Sequence, residues 1–140
     1  MEPFRREPLR QLTSNMLIRK ATKADFPAIR AIIQKFPDTL MQVHLPQPDE
    51  FFVAEENSVI VGCCALEVYS QRLAEVRSLA VVPEQQQKGI ATKLVERCVQ
   101  EAKALNVHEV LAISGANSLF EKHGFGTFKN EKYALIKILS

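Results

Sequence analysis

VRSLAVVPEQQQKGIATKLVERCVQEAK, residues 76–103, holds in one run a strand, a stop, a loop and a helix. Apolar and β-branched residues run to Val82, and Pro83 ends them. A polar loop with one glycine follows, Gln86-Gln87-Lys88-Gly89. From Ile90 to Leu105 the period changes to that of a helix. Ile90, Leu94, Cys98, Ala102 and Leu105 fall on the inward face, with Lys93, Glu96, Arg97, Gln100, Glu101 and Lys103 in solvent. The loop therefore delivers its backbone N–H groups to a helix start. The first helical N–H groups lack intrahelical partners and the helix dipole is positive there, so such a site attracts a phosphate or another anion.

Working outward, Leu73–Val82 forms the strand of this unit, entered by a turn near Tyr69–Arg72. Before it, Phe51–Glu55 and Val59–Val68 read as a hairpin closed at Glu56-Asn57-Ser58. Val59–Val68 is apolar almost throughout, as a strand covered on both faces is, and Gly62 within it signals a bulge or a close backbone approach. Leu17–Ala21 is a short edge strand. Thr22 and Asp25 then form an N-cap pattern for a helix whose face is Phe26, Ile29, Ile32, Ile33 and Phe36, stopped by Pro37. A short helix over Thr39–His44 is expected before Pro46-Gln47-Pro48. Downstream come a further buried strand, Val110–Ile113, a helix Asn117–His123 ended by Gly124, and a hairpin of Phe125–Phe128 with Tyr133–Leu139. The order is β-α-(α)-β-β-β-α-β-α-β-β, a mixed sheet flanked by helices.

The chain has 140 residues, 46% of them hydrophobic and 24% charged, which suits one globular domain with its own core. Residues 1–15, with two prolines and several charges but no apolar stretch of the secretory kind, read as a flexible tail before a domain over 16–140. A net charge of +2 gives no argument for nucleic acid or a membrane surface as partner. No apolar run reaches membrane-spanning length. Cys63 and Cys64, adjacent on a strand, point to opposite faces and make neither a metal pair nor a bridge, so reduced thiols in the cytoplasm are expected. His44, His108 and His123 are dispersed without carboxylate or cysteine at ligand spacing, and no metal site is expected.

The loop is neither a Walker A loop, since Gly89 is its only glycine and no Gly-Lys-Ser/Thr follows, nor a Gly-x-Gly-x-x-Gly dinucleotide fingerprint. Gln86, Gly89 and Ala91 do fill an Arg/Gln-x-x-Gly-x-Gly/Ala pattern, and Leu119-Phe120-Glu121-Lys122-His123-Gly124-Phe125 follows downstream. With these motifs the chain resembles the GCN5-related N-acetyltransferase (GNAT) family over Leu17 to Leu139. The run LAEVRSLAV, with VGCCAL before it, is similar to small amino-acid N-acetyltransferases of the N-acetylglutamate synthase type.

The resemblance implies an α/β (α+β) fold: a mixed, mostly antiparallel sheet of six to seven strands with about four helices. It implies acetyl-CoA as cosubstrate and an amine of a small molecule, an amino acid or a relative of one, as acceptor, in a monomer or homodimer. The amides of Gln87, Lys88, Gly89, Ile90, Ala91 and Thr92, beside Gln86, would hold the pyrophosphate. Leu79, Ala80 and Val81 would lie along the pantetheine arm, with the Val81 N–H near the thioester carbonyl. Asn117 and Phe120 would sit near the sulfur. Attack on a thioester needs a neutral amine, and Glu75 is the leading proton acceptor, with Glu67 second. The alternative for Glu75 is a solvated glutamate or one paired with Arg72 or Arg77. Many family members carry tyrosine where this chain has Phe120, which cannot donate a proton; water, Ser118 or Tyr133 would then serve the leaving thiolate. Arg19, Arg72 and Arg77 are possible partners for an acceptor carboxylate. A non-catalytic acetyl-CoA-binding regulatory module, an interaction domain and a protein or peptide acetyltransferase are the alternatives to small-molecule transfer.

Overall fold

The computed structural model describes residues 16–114 and 117–127, together with residues 137 and 139. Within them five strands, β1 (Met16–Lys20), β2 (Phe51–Glu56), β3 (Val59–Val68), β4 (Leu73–Val81) and β5 (Glu109–Ala112), lie side by side in chain order. The first three junctions are antiparallel and β4–β5 is parallel. Three α-helices, α1 (Phe26–Ile33), α2 (Ile90–Ala104) and α3 (Asn117–Glu121), accompany them, with single 3₁₀ turns at Lys23–Asp25, Pro48–Glu50 and Pro83–Gln85. The parallel junction follows from the crossover through α2, since a parallel neighbour needs a long connection and a helix supplies it.

The sheet has two apolar faces. Phe51, Val53, Cys63 and Ala65 pack with Ile29, Ile32 and Ile33 of α1. Their neighbours Phe52, Ala54, Cys64 and Leu66 pack with Leu94, Val95, Cys98 and Ala102 of α2. Period-2 alternation thus sends Cys63 to one layer and Cys64 to the other, as expected. Burial pushes the Cys63 thiol up to about 12, which suits a core side chain rather than a nucleophile. Gly62 is a close-approach position. A Cβ there would lie 3.2 Å from the Ala80 carbonyl oxygen and 3.2 Å from Leu94 Cδ1, so only glycine lets the start of α2 settle onto the sheet without displacement. The β2–β3 register also shifts beside it, between Ala54 and Glu55. Asn57 and Ser58, both at positive φ (52° and 67°), close the hairpin as a two-residue turn whose twist matches the strands.

Five expectations are corrected. Five strands and three α-helices stand among the described residues, instead of six to seven and about four. Thr39–His44 is not helical: His44 takes a left-handed φ of 55°, and the Gln42 amide donates to the carbonyls of Ile33 (3.0 Å), Phe36 (3.3 Å) and Leu40 (3.1 Å). Of these, the Leu40 carbonyl is the one a helix over this segment would give to the His44 N–H. Leu105, placed on the inward face of α2, is half exposed because the helix ends at Ala104. The strand expected to be buried over Val110–Ile113 is only partly buried, and Ile113 lies beyond its end and is exposed. Phe125, Gly126 and Thr127 are not strand, while the rest of the expected terminal hairpin lies outside the described residues except for Lys137 and Leu139, which are also not strand. Among the described residues no helix is long and apolar enough to cross a membrane.

Candidate active site

The site grows from an irregularity in β4. Cys63 pairs with Ala80 and Ala65 with Arg77, so three steps along β4 match two along β3: an extra residue is inserted. Ser78 absorbs it at a left-handed φ of 57°. The bulge reverses the strand's parity. Before it, Ala74 and Val76 face α2 and leave Glu75 and Arg77 on the α1 face; beyond it, Ala80 faces α1 and Val81 faces α2.

Pairing with β5 stops at Val76 opposite Ala112, so among the described residues the remainder of β4 is paired with a strand on the β3 side alone. The Val82 N–H donates to the Val61 carbonyl at 2.9 Å. Hydrogen bonding alternates along an antiparallel ladder, so Val81, and Leu79 two residues earlier, turn their N–H and C=O groups to the other edge. There the Val81 carbonyl accepts from Gln86 Nε2 at 3.0 Å, which ties the loop to the strand end.

The loop itself is a turn built for exposed amides. Residues Pro83–Gln85 form one 3₁₀ turn, then Gln87 (φ 66°) and Gly89 (φ 82°) adopt left-handed conformations on either side of Lys88. Gly89 is the N-cap of α2 and has no side chain to satisfy the helix start. The first intrahelical bond runs from the Lys93 N–H to the Gly89 carbonyl at 3.1 Å, leaving Ile90, Ala91 and Thr92 as the orphan donors. No acidic side chain stands in that first turn. A donor set of this kind fits a phosphate or pyrophosphate.

Leu79 to Val81, Gln85 to Gln87 and Gly89 to Thr92 line one cleft of about 360 Å³, closed on its other side by Phe36, Thr39 and Leu40. Most of the expected coenzyme residues are thereby brought together. Lys88 is not among the lining residues; its Nζ donates to Gln85 Oε1 at 3.0 Å. Phe120 is also absent from the lining and is packed in the α2-side core, edge-on to Phe125 at 5.2 Å. Asn117 opens α3. Phe36, Thr39 and Leu40 were not foreseen as site residues. Their segment has no motif, and only the path of the chain after α1 brings it to the cleft.

Further along the α1 face lies a charged cluster. Glu67 and Glu75 stand directly opposite each other on β3 and β4. Arg77 donates to Glu67 at 2.5 Å and to the His44 carbonyl at 3.2 Å, anchoring the irregular segment after α1 to this face. Among the described residues Glu75 pairs with neither Arg72 nor Arg77: it accepts a hydrogen bond from the Tyr69 hydroxyl. Partial burial first, and the Glu75 carboxylate second, raise the Tyr69 phenol well above its ordinary value, so it stays a donor. Arg72 lies instead near Glu109 at 3.7 Å, on the sheet edge. Arg19 is held elsewhere, by Asp25 (2.8 and 3.0 Å) and Glu55 (2.9 Å). Of the three arginines considered for an acceptor carboxylate, Arg77 alone stands in the cluster with Glu75.

Known proteins that resemble this chain are acetyltransferases. Residues 47–127, more than half of the chain, match the family model of the acetyltransferase (GNAT) domain. The chain is 32% identical over 117 residues to an amino-acid acetyltransferase of Mycobacterium tuberculosis, covering 78% of this chain and 67% of that one. An uncharacterized N-acetyltransferase of Chlorobaculum tepidum is 36% identical over 84 residues, and the match spans 60% of this chain and 54% of that protein. Against the curated relatives it matches, then, the chain spans between about half and two thirds of the length in these two cases. Among solved structures, a Mycobacterium tuberculosis protein in complex with CoA superposes with a TM-score of 0.75 at 31% identity, covering 80% of this chain and 72% of that one. N-acetylglutamate synthase of Neisseria gonorrhoeae, complexed with coenzyme A and N-acetyl-glutamate, gives 0.73 at 26%, covering 81% and 28%. The family motif, the bulged β4 and the uncapped α2 converge with these matches: the chain belongs to the GNAT acetyltransferase family.

Proposed function

We propose that this chain is an acetyl-CoA-dependent N-acetyltransferase acting on the primary amine of a small molecule of the amino-acid class. The observation that carries the reading is the uncapped start of α2, reached through left-handed Gln87 and Gly89 and set beside the free edge of β4. The acceptor class is supported by relatives named as amino-acid acetyltransferases and by a neighbour solved with N-acetyl-glutamate.

Bound acetyl-CoA supplies an acetyl group already activated as a thioester. The amides of Gln87 to Thr92 hold its pyrophosphate, and Gly89 keeps side-chain atoms out of that approach. Leu79 and Val81 donate from the free edge of β4, one of them to the thioester oxygen as negative charge develops there; donors fixed in advance need no reorganisation at that moment. Leu79 is the nearer to Glu75, four residues along the strand. Glu75 removes the ammonium proton, directly or through water, and leaves the amine free to attack. Phe120 has no proton to give and is buried in the core, so the thiolate is protonated by water or by a hydroxyl such as that of Ser118.

Incubation with acetyl-CoA and a panel of amino acids, polyamines and peptides, with thiol release followed, tests the reading. Turnover fastest on an amino acid supports it. Fastest turnover on a peptide or protein amine would replace the acceptor class, and calorimetric binding of acetyl-CoA without turnover on any amine would replace the enzyme by a regulatory module. Absence of acetyl-CoA binding would sink the proposal altogether.

A further inference from the structure

The turn between β3 and β4 is more heavily bonded than a connector needs. The Tyr69 and Ser70 N–H groups both donate to the Leu73 carbonyl, at 3.0 and 3.2 Å. Ser70 Oγ in turn accepts from the N–H groups of Arg72 (3.1 Å) and Leu73 (3.2 Å). The product of this bonding is one contact, the Tyr69 hydroxyl on Oε1 of Glu75. Packing does not account for it, since Tyr69 is 51% exposed and contributes little burial.

The neighbours explain why the donor is a phenol. Glu75 is faced by Glu67 across the sheet, by Arg77 from its own strand, by Tyr69 from the turn and by apolar Leu111 on β5. Two carboxylates opposite each other repel, and each needs a donor. Glu67 takes the arginine, and Arg77 is further occupied by the His44 carbonyl. An arginine on Glu75 would favour its charged form strongly and oppose proton uptake. A neutral hydroxyl orients the same carboxylate while leaving it able to receive a proton.

We propose that Tyr69 is a positioning residue for Glu75, fixing the carboxylate in one orientation on the acceptor face while Arg77 is diverted to Glu67. This rests on the reading of Glu75 as proton acceptor. Nothing about the coenzyme loop enters it, so the two are separable by experiment.

Two measurements decide it. The chain has two tyrosines and no tryptophan, so Tyr133→Phe leaves Tyr69 as the single ultraviolet reporter. Its phenolate band should appear at lower pH once Glu75→Gln is added. An unchanged titration means that the contact does not exist in solution and overturns the proposal. Kinetically, Tyr69→Phe should lower kcat about tenfold, the lower end of what one hydrogen bond to a charged group is worth. It should leave the KM for acetyl-CoA unchanged and move the acid limb of the pH profile upward, and in a Glu75→Gln background it should cost nothing more. Wild-type kcat and pH profile in Tyr69→Phe, alongside a slow Glu75→Gln, overturn the role of Tyr69 and leave the base reading standing. A full rate in Glu75→Gln removes the base reading, and this proposal with it. Loss of the thermal transition in Tyr69→Phe would make Tyr69 structural and likewise overturn the proposal.

Discussion

The two ends of β4 do different work by different means. Beyond the Ser78 bulge the site is made of backbone: the free edge at Leu79 and Val81, and the orphan amides of α2. Before the bulge it is made of side chains: Glu75 held by Tyr69, Glu67 held by Arg77. Backbone donors are set by conformation and tolerate side-chain change. A carboxylate's function is set by whichever groups reach it. The donor end is therefore fragile to changes of φ and indifferent to surface charge, while the acceptor end is the reverse.

Mutations sharpen or break that contrast. Glu75→Gln removes the carboxylate proposed as proton acceptor without altering shape, and the rate of acetyl transfer should fall on the order of a hundredfold with coenzyme affinity unchanged. Equal losses of rate and of acetyl-CoA affinity by calorimetry would mean that the two ends are not independent. At the other end, Gly89→Val forces a β-branched residue to φ 82°, where nothing else crowds its Cβ. The conformational cost alone, about 1–2 kcal/mol, should weaken acetyl-CoA binding about tenfold. Unchanged affinity would show that the left-handed turn is not what presents the amides.

The third prediction concerns an arginine excluded from the acceptor end. Arg19 holds the Asp25 carboxyl well below the usual carboxylate range. A carboxyl whose pKa is depressed by folding stabilises the fold above its unfolded value, about 3.9, and loses that contribution as pH falls further. Urea unfolding should therefore show Asp25→Asn about 1 kcal/mol or less below wild type at neutral pH, with the gap closing below pH of about 4. The KM for the acceptor should not move. If it does, Arg19 belongs to the site. Smallest of all should be Lys88→Ala. Its ammonium is engaged with Gln85 on the surface, and acetyl-CoA affinity should change by no more than about twofold. A larger loss would put a side-chain charge into a loop described here as backbone alone.

Much of the donor end was readable before any coordinates. Gly89 and Ala91 at the head of an amphipathic run, after a strand stopped by Pro83, specify a turn and an uncapped helix through local rules. The acceptor end was read in part. Glu75 was singled out, yet its partner Tyr69 was not, and Arg77 was weighed for an acceptor when Glu67 and the His44 carbonyl engage it. The helix expected over Thr39–His44 is absent: His44 turns left-handed, and the Gln42 amide holds the Leu40 carbonyl that such a helix would give to the His44 N–H.

By itself the sequence determined the alternation that sends Cys63 and Cys64 to opposite layers, the period of α2 and the glycine loop that leads into it, because each is a relation among residues a few positions apart. Only the tertiary structure decided where β5 parts from β4, that Ser78 would carry the bulge that changes the strand's facing, and which group meets each carboxylate. Those depend on cross-strand register and on the path of the chain after α1, where partners such as His44 and Arg77 are brought together from distant positions. No local propensity encodes such a meeting. It follows from how two apolar faces of one sheet are covered at the same time.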